Sequence, residues 1–248
     1  MVPLPERDKP RFVNRMFGRI ARRYDWGNRV LSMGRDQSWR RRAVTALDPR
    51  PHERVLDIGA GTADLSLYLA RRAGAVVALD FSRPMLRLGS DKARRAGLQE
   101  QVRFVTGDAL RLPFADASFD GAATAFTVRN FASLQDGLKE IHRVLKPGGR
   151  LVCLEFTRPP SPLLNWLYQP YLRHLVPIIG GRITGDRGAY RYLAESINAF
   201  PTAEDLAGLI RDAGFPHVDW RFLNMGAVAI HATRKAAARQ GAQAGVTV

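Results

Sequence analysis

Val55-Leu56-Asp57-Ile58-Gly59-Ala60-Gly61-Thr62-Ala63-Asp64 is the stretch whose reading decides the fold. Val55 to Ile58 is an apolar run broken only by Asp57, enough for one buried strand. Gly59 and Gly61 follow, and glycine supplies positive φ and lets a ligand approach the backbone closely. The residues after them read as a helix, whose free N–H groups point into the same space as the turn. A strand, a glycine turn and a helix in that order make the ligand-binding corner of a nucleotide-type α/β fold.

Outward from this corner, Glu53 to Phe156 alternates short apolar strands with helical segments. Strands are expected over 54–58, 75–80, 102–106, 118–125 and 149–156, and helices over 62–73, 83–96 and 133–145. Such alternation builds βαβ units, giving an α/β fold with a doubly wound, mostly parallel sheet and helices on both faces. A helix over 202–213 and strands over 217–223 and 226–233 complete a seven-stranded sheet. Five regions are therefore expected: a helical segment over 1–52, the core over 53–156, an insertion over 157–201, the closing helix and strands over 202–235, and an unstructured tail over 236–248. In the first, Phe12, Met16, Ile20 and Tyr24 recur at four-residue spacing with arginines between them, a helical pattern running from Arg11 to about Leu47. In the insertion, PPSPLLNWLYQPYLRHLVPIIGGRITG is too apolar for a surface loop and too proline-rich for one long helix, so a cap over the ligand edge is expected.

Composition bounds the reading. The chain has 248 residues, 46% hydrophobic and 25% charged, the balance of a globular protein. The only cysteine, Cys153, excludes an internal disulfide and a multi-thiolate metal site, and its mid-strand position suits a buried thiol. His142 falls on the helix before strand five and is expected to pack there or face solvent, and no metal-ligand cluster stands out among the histidines. No run of 18 apolar residues offers a membrane span, and MVPLPERDKPRF lacks an apolar leader, so a cytoplasmic chain is expected. The net charge is +15, and residues 1–50 hold 13 Lys/Arg against 5 Asp/Glu. Such a face attracts nucleic acid or an anionic bilayer. An arginine-rich coding bias on a solvated surface would give the same excess.

Four carboxylates point to the ligand. Asp80 closes the second strand, 19 residues after Gly61, where it can accept hydrogen bonds from both hydroxyls of a ribose. Asp64 replaces the third glycine of a dinucleotide fingerprint, and a carboxylate there repels a pyrophosphate. Asp108, in Thr106-Gly107-Asp108-Ala109, lies where an adenine edge can be read. With Asp57 they form an acidic pocket in a basic protein, which suits the cationic sulfonium of S-adenosylmethionine better than a phosphate-bearing nucleotide. Each aspartate alone also has an ordinary use as cap or turn former. The expected donor site is Asp57, Gly59, Gly61, Thr62, Asp80, Phe81, Met85, Asp108 and Ala109.

The order of DxGxG, an acidic end of strand two, GDA, LPFADASFDGA and LKPGGRLV resembles a class I methyltransferase. Ala63 departs from that pattern where many members have glycine. Four further stretches resemble one family, the demethylmenaquinone and polyprenyl-benzoquinol C-methyltransferases of menaquinone and ubiquinone biosynthesis. They are Phe17-Gly18-Arg19-Ile20-Ala21-Arg22-Arg23-Tyr24-Asp25 with Asn28 to Gly34, then Thr127-Val128-Arg129-Asn130, Leu154-Glu155-Phe156, and Tyr190-Arg191-Tyr192-Leu193-Ala194-Glu195-Ser196-Ile197. The resemblance covers roughly residues 12–234 and implies a lipid-soluble prenylated quinol as acceptor, demethylmenaquinol above the benzoquinol. It implies Arg129 and Asn130 as the catalytic element, with Tyr24, Tyr190 and Tyr192 lining the acceptor pocket, and no metal. Separately, the basic amino-terminal helices and the cap are expected to make peripheral contact with the inner face of an anionic membrane, and a homodimer is expected. A serine that the family often has before Phe126 is replaced by Ala125. RNA methylation fits less well, because the Asn/Asp-Pro-Pro-aromatic motif and a catalytic cysteine are missing and nucleic acid is disfavoured as a partner. A non-catalytic adenosyl-binding protein and a small-molecule O-methyltransferase are the remaining alternatives.

Overall fold

A computed structural model describes residues 9–238. Two helices come first, α1 (Lys9–Leu31) and α2 (Arg35–Leu47), separated where Met33 and Gly34 take positive φ. The core follows as β1 (Arg54–Ile58), α3 (Asp64–Ala70), β2 (Ala75–Asp80), α4 (Arg83–Arg95), β3 (Val102–Thr106), β4 (Phe119–Ala125), α5 (Leu134–Val144) and β5 (Leu145–Phe156). Then come α6 (Pro162–Pro170), α7 (Val176–Thr184), α8 (Arg187–Ala199), α9 (Ala203–Asp212), β6 (Val218–Leu223) and β7 (Val228–Arg234). The seven strands lie in the order β3-β2-β1-β4-β5-β7-β6. β1 to β5 pair in parallel, and β7 runs antiparallel between β5 and β6. The order reverses between β1 and β4, and the carboxyl ends there open a crevice.

Alternate residues of each central strand feed different layers, as a pleated sheet covered on both faces requires. Leu56, Ile58, Val77 and Leu79 meet Leu138 and Ile141 of α5 and Leu206 and Ile210 of α9. Val55, Val76 and Ala78 meet Trp39, Val44 and Leu47 of α2 and Leu65 and Leu69 of α3. A third apolar cluster joins Met16 and Ile20 of α1 to Val176 and to Tyr190, Ala194 and Ile197 of α8. α1 and α7 run antiparallel in it. Arg19 bonds Asp186, Arg23 Nη1 donates to the Ile183 carbonyl at 3.4 Å, and Tyr171 Oη donates to the Leu31 carbonyl at 2.6 Å.

Three local departures from the sequence pattern have physical causes. The proline-rich insertion does run helically from Pro162 to Thr184, contrary to expectation. A wide π-turn over Tyr171–Leu175 sits between Pro170 and Pro177 and absorbs the hydrogen-bond mismatch that proline creates. β5 begins at Leu145, and its Lys146–Gly149 turn, with Gly148 at φ 78, appears as a register shift against β4. α3 begins only at Asp64, because Ala63 adopts φ 66 and ends the loop in the left-handed region. That conformation costs alanine about 1–2 kcal/mol. The buried Ala63 methyl returns about 0.8 kcal/mol, and a glycine would lose further backbone entropy, so the exchange is close to neutral. The tail expected over 236–248 lies, beyond residue 238, outside the described residues. Cys153 is buried, and burial pushes its thiol up, as befits a packing residue. His142 packs edge-on against Phe215 at 5.0 Å.

Tyr190 shows why two helical glycines are needed. A Cβ on Gly180 would stand 2.3 Å from the Tyr190 ring, and one on Gly27 would stand 2.3 Å from its hydroxyl. Gly18, also in α1, faces no atom within 4 Å. Gly180→Ala is expected to destabilise the protein by about 1–3 kcal/mol through overpacking. Gly18→Ala is expected to stabilise it by about 0.5–1 kcal/mol through helix propensity. Urea denaturation of both variants measures the two shifts, and equal signs would refute this packing account.

Candidate active site

The crevice at the carboxyl ends of β1, β2 and β4 has two connected parts. Asp57, Gly59, Gly61, Thr62, Asp80 and Met85 line the first, together with Phe17, Tyr24, Arg40 and Phe126. Phe81, Asp108 and Ala109 line the second, which shares Gly59, Asp80, Thr127 and Asn130 with the first. All nine residues expected at the donor site thus face one groove, with Asp80 at its middle. Asp80 is held there by two backbone N–H groups, from Gly61 at 2.9 Å and Ser82 at 2.7 Å. Burial pushes its carboxyl up, against the pull of these donors. Asp57 accepts from Ser66 Oγ at 2.5 Å, and burial raises it to about 7. Asp108 is exposed and accepts from the Leu110 N–H at 2.9 Å.

The two glycines differ in purpose. A Cβ on Gly59, at φ 68, would collide with the Thr127 side chain at 2.0 Å. A Cβ on Gly61 would project into open space, so the backbone there is bare toward the groove. A bare backbone beside Asp57 and Asp80 suits a cationic nucleoside ligand and disfavours a pyrophosphate. The contribution of Asp64 is smaller than the sequence suggests. Its carboxylate is paired with Lys92 at 2.6 Å, which holds it below the usual range despite burial. Lys92 also pairs with Asp25 at 2.6 Å, and Thr62 Oγ1 donates to Asp25 at 2.5 Å, so α1 is latched to the donor loop.

Behind the groove lies a cavity of about 290 Å³, walled by Ile20, Phe156, Tyr168, Tyr171, Leu172, Val176, Tyr190 and Tyr192. Phe17, Tyr24, Arg40 and Phe126 line both spaces. Phe126 reaches this position in a left-handed conformation, φ 60, at the end of β4. Burial pushes the phenols of Tyr24, Tyr190 and Tyr192 up, so they are neutral donors at ordinary pH.

The two residues expected to act together are split by one tight turn, Val128–Asn130. Arg129 lines the apolar cavity, whereas Asn130 lines the donor groove. Tyr192 Oη donates to Asn130 Oδ1 at 3.2 Å and so ties the two sides together. Arg129 Nη1 forms a buried ion pair with Glu155 at 2.7 Å and also donates to the Phe126 carbonyl. Burial pushes the Glu155 carboxyl up, and Arg129 pulls it down. The sequence names Glu155 only as part of a motif, and its pairing is visible only once β4 and β5 lie side by side. Arg40 and its partner Asp36, 2.8 Å apart, read in the sequence as ordinary surface charges of a helix.

Comparison with known proteins adds a family. The profile of the ubiE/COQ5 methyltransferase family matches residues 5–235. The chain belongs to that family. It is 49% identical over 218 residues to a demethylmenaquinone methyltransferase of Thermus thermophilus, covering 87% of this chain and 98% of that one. A ubiquinone/menaquinone biosynthesis C-methyltransferase UbiE of Paracoccus denitrificans is 42% identical, with 91% of each chain covered. Among solved structures, a SAM-dependent methyltransferase of Thermotoga maritima, described as a possible histamine N-methyltransferase, superposes with a TM-score of 0.63. It is 22% identical over 89% of this chain and 98% of that one, and shows the shared fold.

In this ubiE/COQ5 methyltransferase the Arg129–Glu155 pair is a structural liability if halved. Glu155→Gln takes a negative charge away from a buried guanidinium and is expected to cost about 3 kcal/mol. Replacing both members with apolar residues should cost less than that single change. Denaturant unfolding of the three proteins checks the ranking.

Proposed function

We propose that this methyltransferase takes S-adenosylmethionine as donor and methylates a ring carbon of a reduced prenylated quinone, converting demethylmenaquinol to menaquinol. The observation that carries the reading is the shared wall. An aromatic, aliphatic cavity adjoins a carboxylate-lined groove, and Phe17, Tyr24, Arg40 and Phe126 line both. The relatives at 49% and 48% identity are both named demethylmenaquinone methyltransferase, which favours the naphthoquinol over the benzoquinol ring.

When bound, the donor supplies a methyl group on a positively charged sulfur. Asp80 receives the ribose hydroxyls, Asp108 and Ala109 meet the adenine, and the open backbone at Gly61 accommodates the amino-acid end. On the acceptor side, Arg129 faces the cavity and stabilises the ionised ring hydroxyl, which makes the adjacent ring carbon nucleophilic. Glu155 fixes the guanidinium in place. Arginine keeps its proton at all working pH values and is no base, so the hydroxyl proton before methyl transfer and the ring proton after it both pass to solvent water. The Tyr192–Asn130 hydrogen bond sets the distance between the two halves of the site. Tyr190 contributes mainly shape, being locked between two glycines.

Exposed apolar side chains on and beside the cavity lining support arrival of a lipid-soluble acceptor from a membrane. Met33 and Met225 line the cavity and are 77% and 72% exposed. Beside them the antiparallel α1 and α7, with α6, expose Trp26, Val30, Leu163, Trp166, Leu167, Leu175 and Ile178. α6 buries none of its residues. Segments 12–31 and 162–184 carry seven arginines against one carboxylate, Asp25. Two copies pressed together on this layer would oppose like charges, whereas an anionic bilayer complements both the apolar ridge and the arginines. Among the described residues no helix is long and apolar enough to cross a membrane, so the contact is interfacial.

Mass spectrometry of reactions containing S-adenosylmethionine and each reduced prenylated quinone in detergent tests the reaction, with product expected from the naphthoquinol. Transfer to RNA, or to neither ring, would reject it. Asp80→Ala is expected to weaken donor binding at least tenfold, while Arg129→Ala lowers turnover at least a hundredfold with donor affinity retained. For the membrane contact, Trp166→Ser with Leu167→Ser should abolish sedimentation with anionic vesicles and leave turnover in detergent intact. Unchanged sedimentation would refute the ridge.

A further inference from the structure

The charges that line the first part of the donor groove are unbalanced in kind. Asp57, Asp64 and Asp80 face it, and among the described residues Arg40 is the one basic side chain on its wall. A sulfonium nucleoside carries an α-ammonium and an α-carboxylate at the same end. The aspartates suit the first and repel the second. We infer that Arg40 receives the α-carboxylate of the donor, an inference that rests on the donor reading above.

The geometry of Arg40 fits that task. The residue is buried, and its Cζ lies 5.4 Å from the centre of the Phe126 ring, on the wall common to groove and cavity. Asp36 holds it from behind, with both the carboxylate at 2.8 Å and the carbonyl at 3.3 Å accepting from Nη1. Both anchoring bonds use one nitrogen. Nε and Nη2, which form the side-on edge of the guanidinium, have no protein acceptor among the described residues, yet neither is sealed from solvent. Two parallel N–H groups on one edge match the two oxygens of a carboxylate. The positive charge is also felt in the groove: Arg40 pulls the carboxyls of Asp57 and Asp64 and the phenol of Tyr24 down. Asp36 plays a positioning part, fixing the guanidinium so that little side-chain freedom is lost on binding.

Calorimetry with S-adenosylmethionine and its decarboxylated form separates this role from a merely structural one. The decarboxylated form has one more net positive charge, which an acidic groove favours, so a preference for the carboxylate form requires a cation. Wild-type protein is expected to prefer S-adenosylmethionine by about tenfold to a hundredfold, the range of a charge-assisted bidentate contact. In Arg40→Gln, and in the double variant Asp36→Asn/Arg40→Gln that leaves no buried charge unpaired, the preference should fall to about threefold or less. Because both ligands are measured on the same protein, a general loss of affinity or stability does not mimic the effect. Three results would overturn the inference: no preference in the wild type, full preference kept in both variants, or Arg40→Gln lowering turnover with the preference intact, which would assign Arg40 to the acceptor. A wild-type chain that binds neither ligand would overturn the donor reading first, and this inference with it.

Discussion

The approach of Thr127 to Gly59 is the constraint on which the site depends. These residues follow β4 and β1, the two strands flanking the point where sheet order reverses. Thr127 Oγ1 donates to the Gly59 carbonyl at 3.1 Å, and its side chain occupies the space any larger residue at 59 would need. This dovetail fixes the β1 loop, with its left-handed residues 59, 61 and 63, against the turn that carries Arg129 and Asn130. Gly59 and Thr127 both line the groove, and Phe126, next to Thr127, lines the groove and the cavity behind it. Had either loop swung outward by the width of a methyl group, the shared wall at Phe126 would part.

Three cations at or beside the site are paired with carboxylates. Arg129 is matched by Glu155, Arg40 by Asp36, and Lys92 by Asp64 and Asp25. Each pair has a member lining the groove or the cavity, and each limits how far an arginine or lysine can move. Removing water from ions is costly, so such pairs add little net stability but fix geometry. In a chain of net charge +15, carboxylate partners also hold cations away from the site, among them Arg19, Arg143, Lys146 and Arg150.

Much of this was legible in the sequence because it is local. Strand β1, its glycine turn and the acid at the end of β2 announce themselves by spacing, and the strands of the core fall within a few residues of their expected ends. The misses share a cause, which is that they depend on contacts between distant segments. Glu155 and Arg129 are 26 residues apart and meet only through the pairing of β4 with β5. Lys92 looks like a surface lysine of α4 until the β1 loop is folded over it. The separation of Arg129 from Asn130 into different spaces follows from one tight turn that no periodicity reveals. The helical run from Pro162 to Thr184 was hidden because proline is read as a breaker, and a π-turn is invisible to composition.

That π-turn has a geometric result beyond tolerating proline. Residues spaced by four creep about 40° per step around a regular α-helix, so a stripe of them spirals away from any flat wall. Leu164, Tyr168, Leu172, Val176 and Gly180 are such a stripe, half-buried at its start and buried from Leu172 onward. The wider coil at Tyr171–Leu175 advances less per residue and takes back the creep midway. One rod of two α-helical lengths thus keeps a single side turned inward over its full span, and its opposite flank remains exposed from end to end.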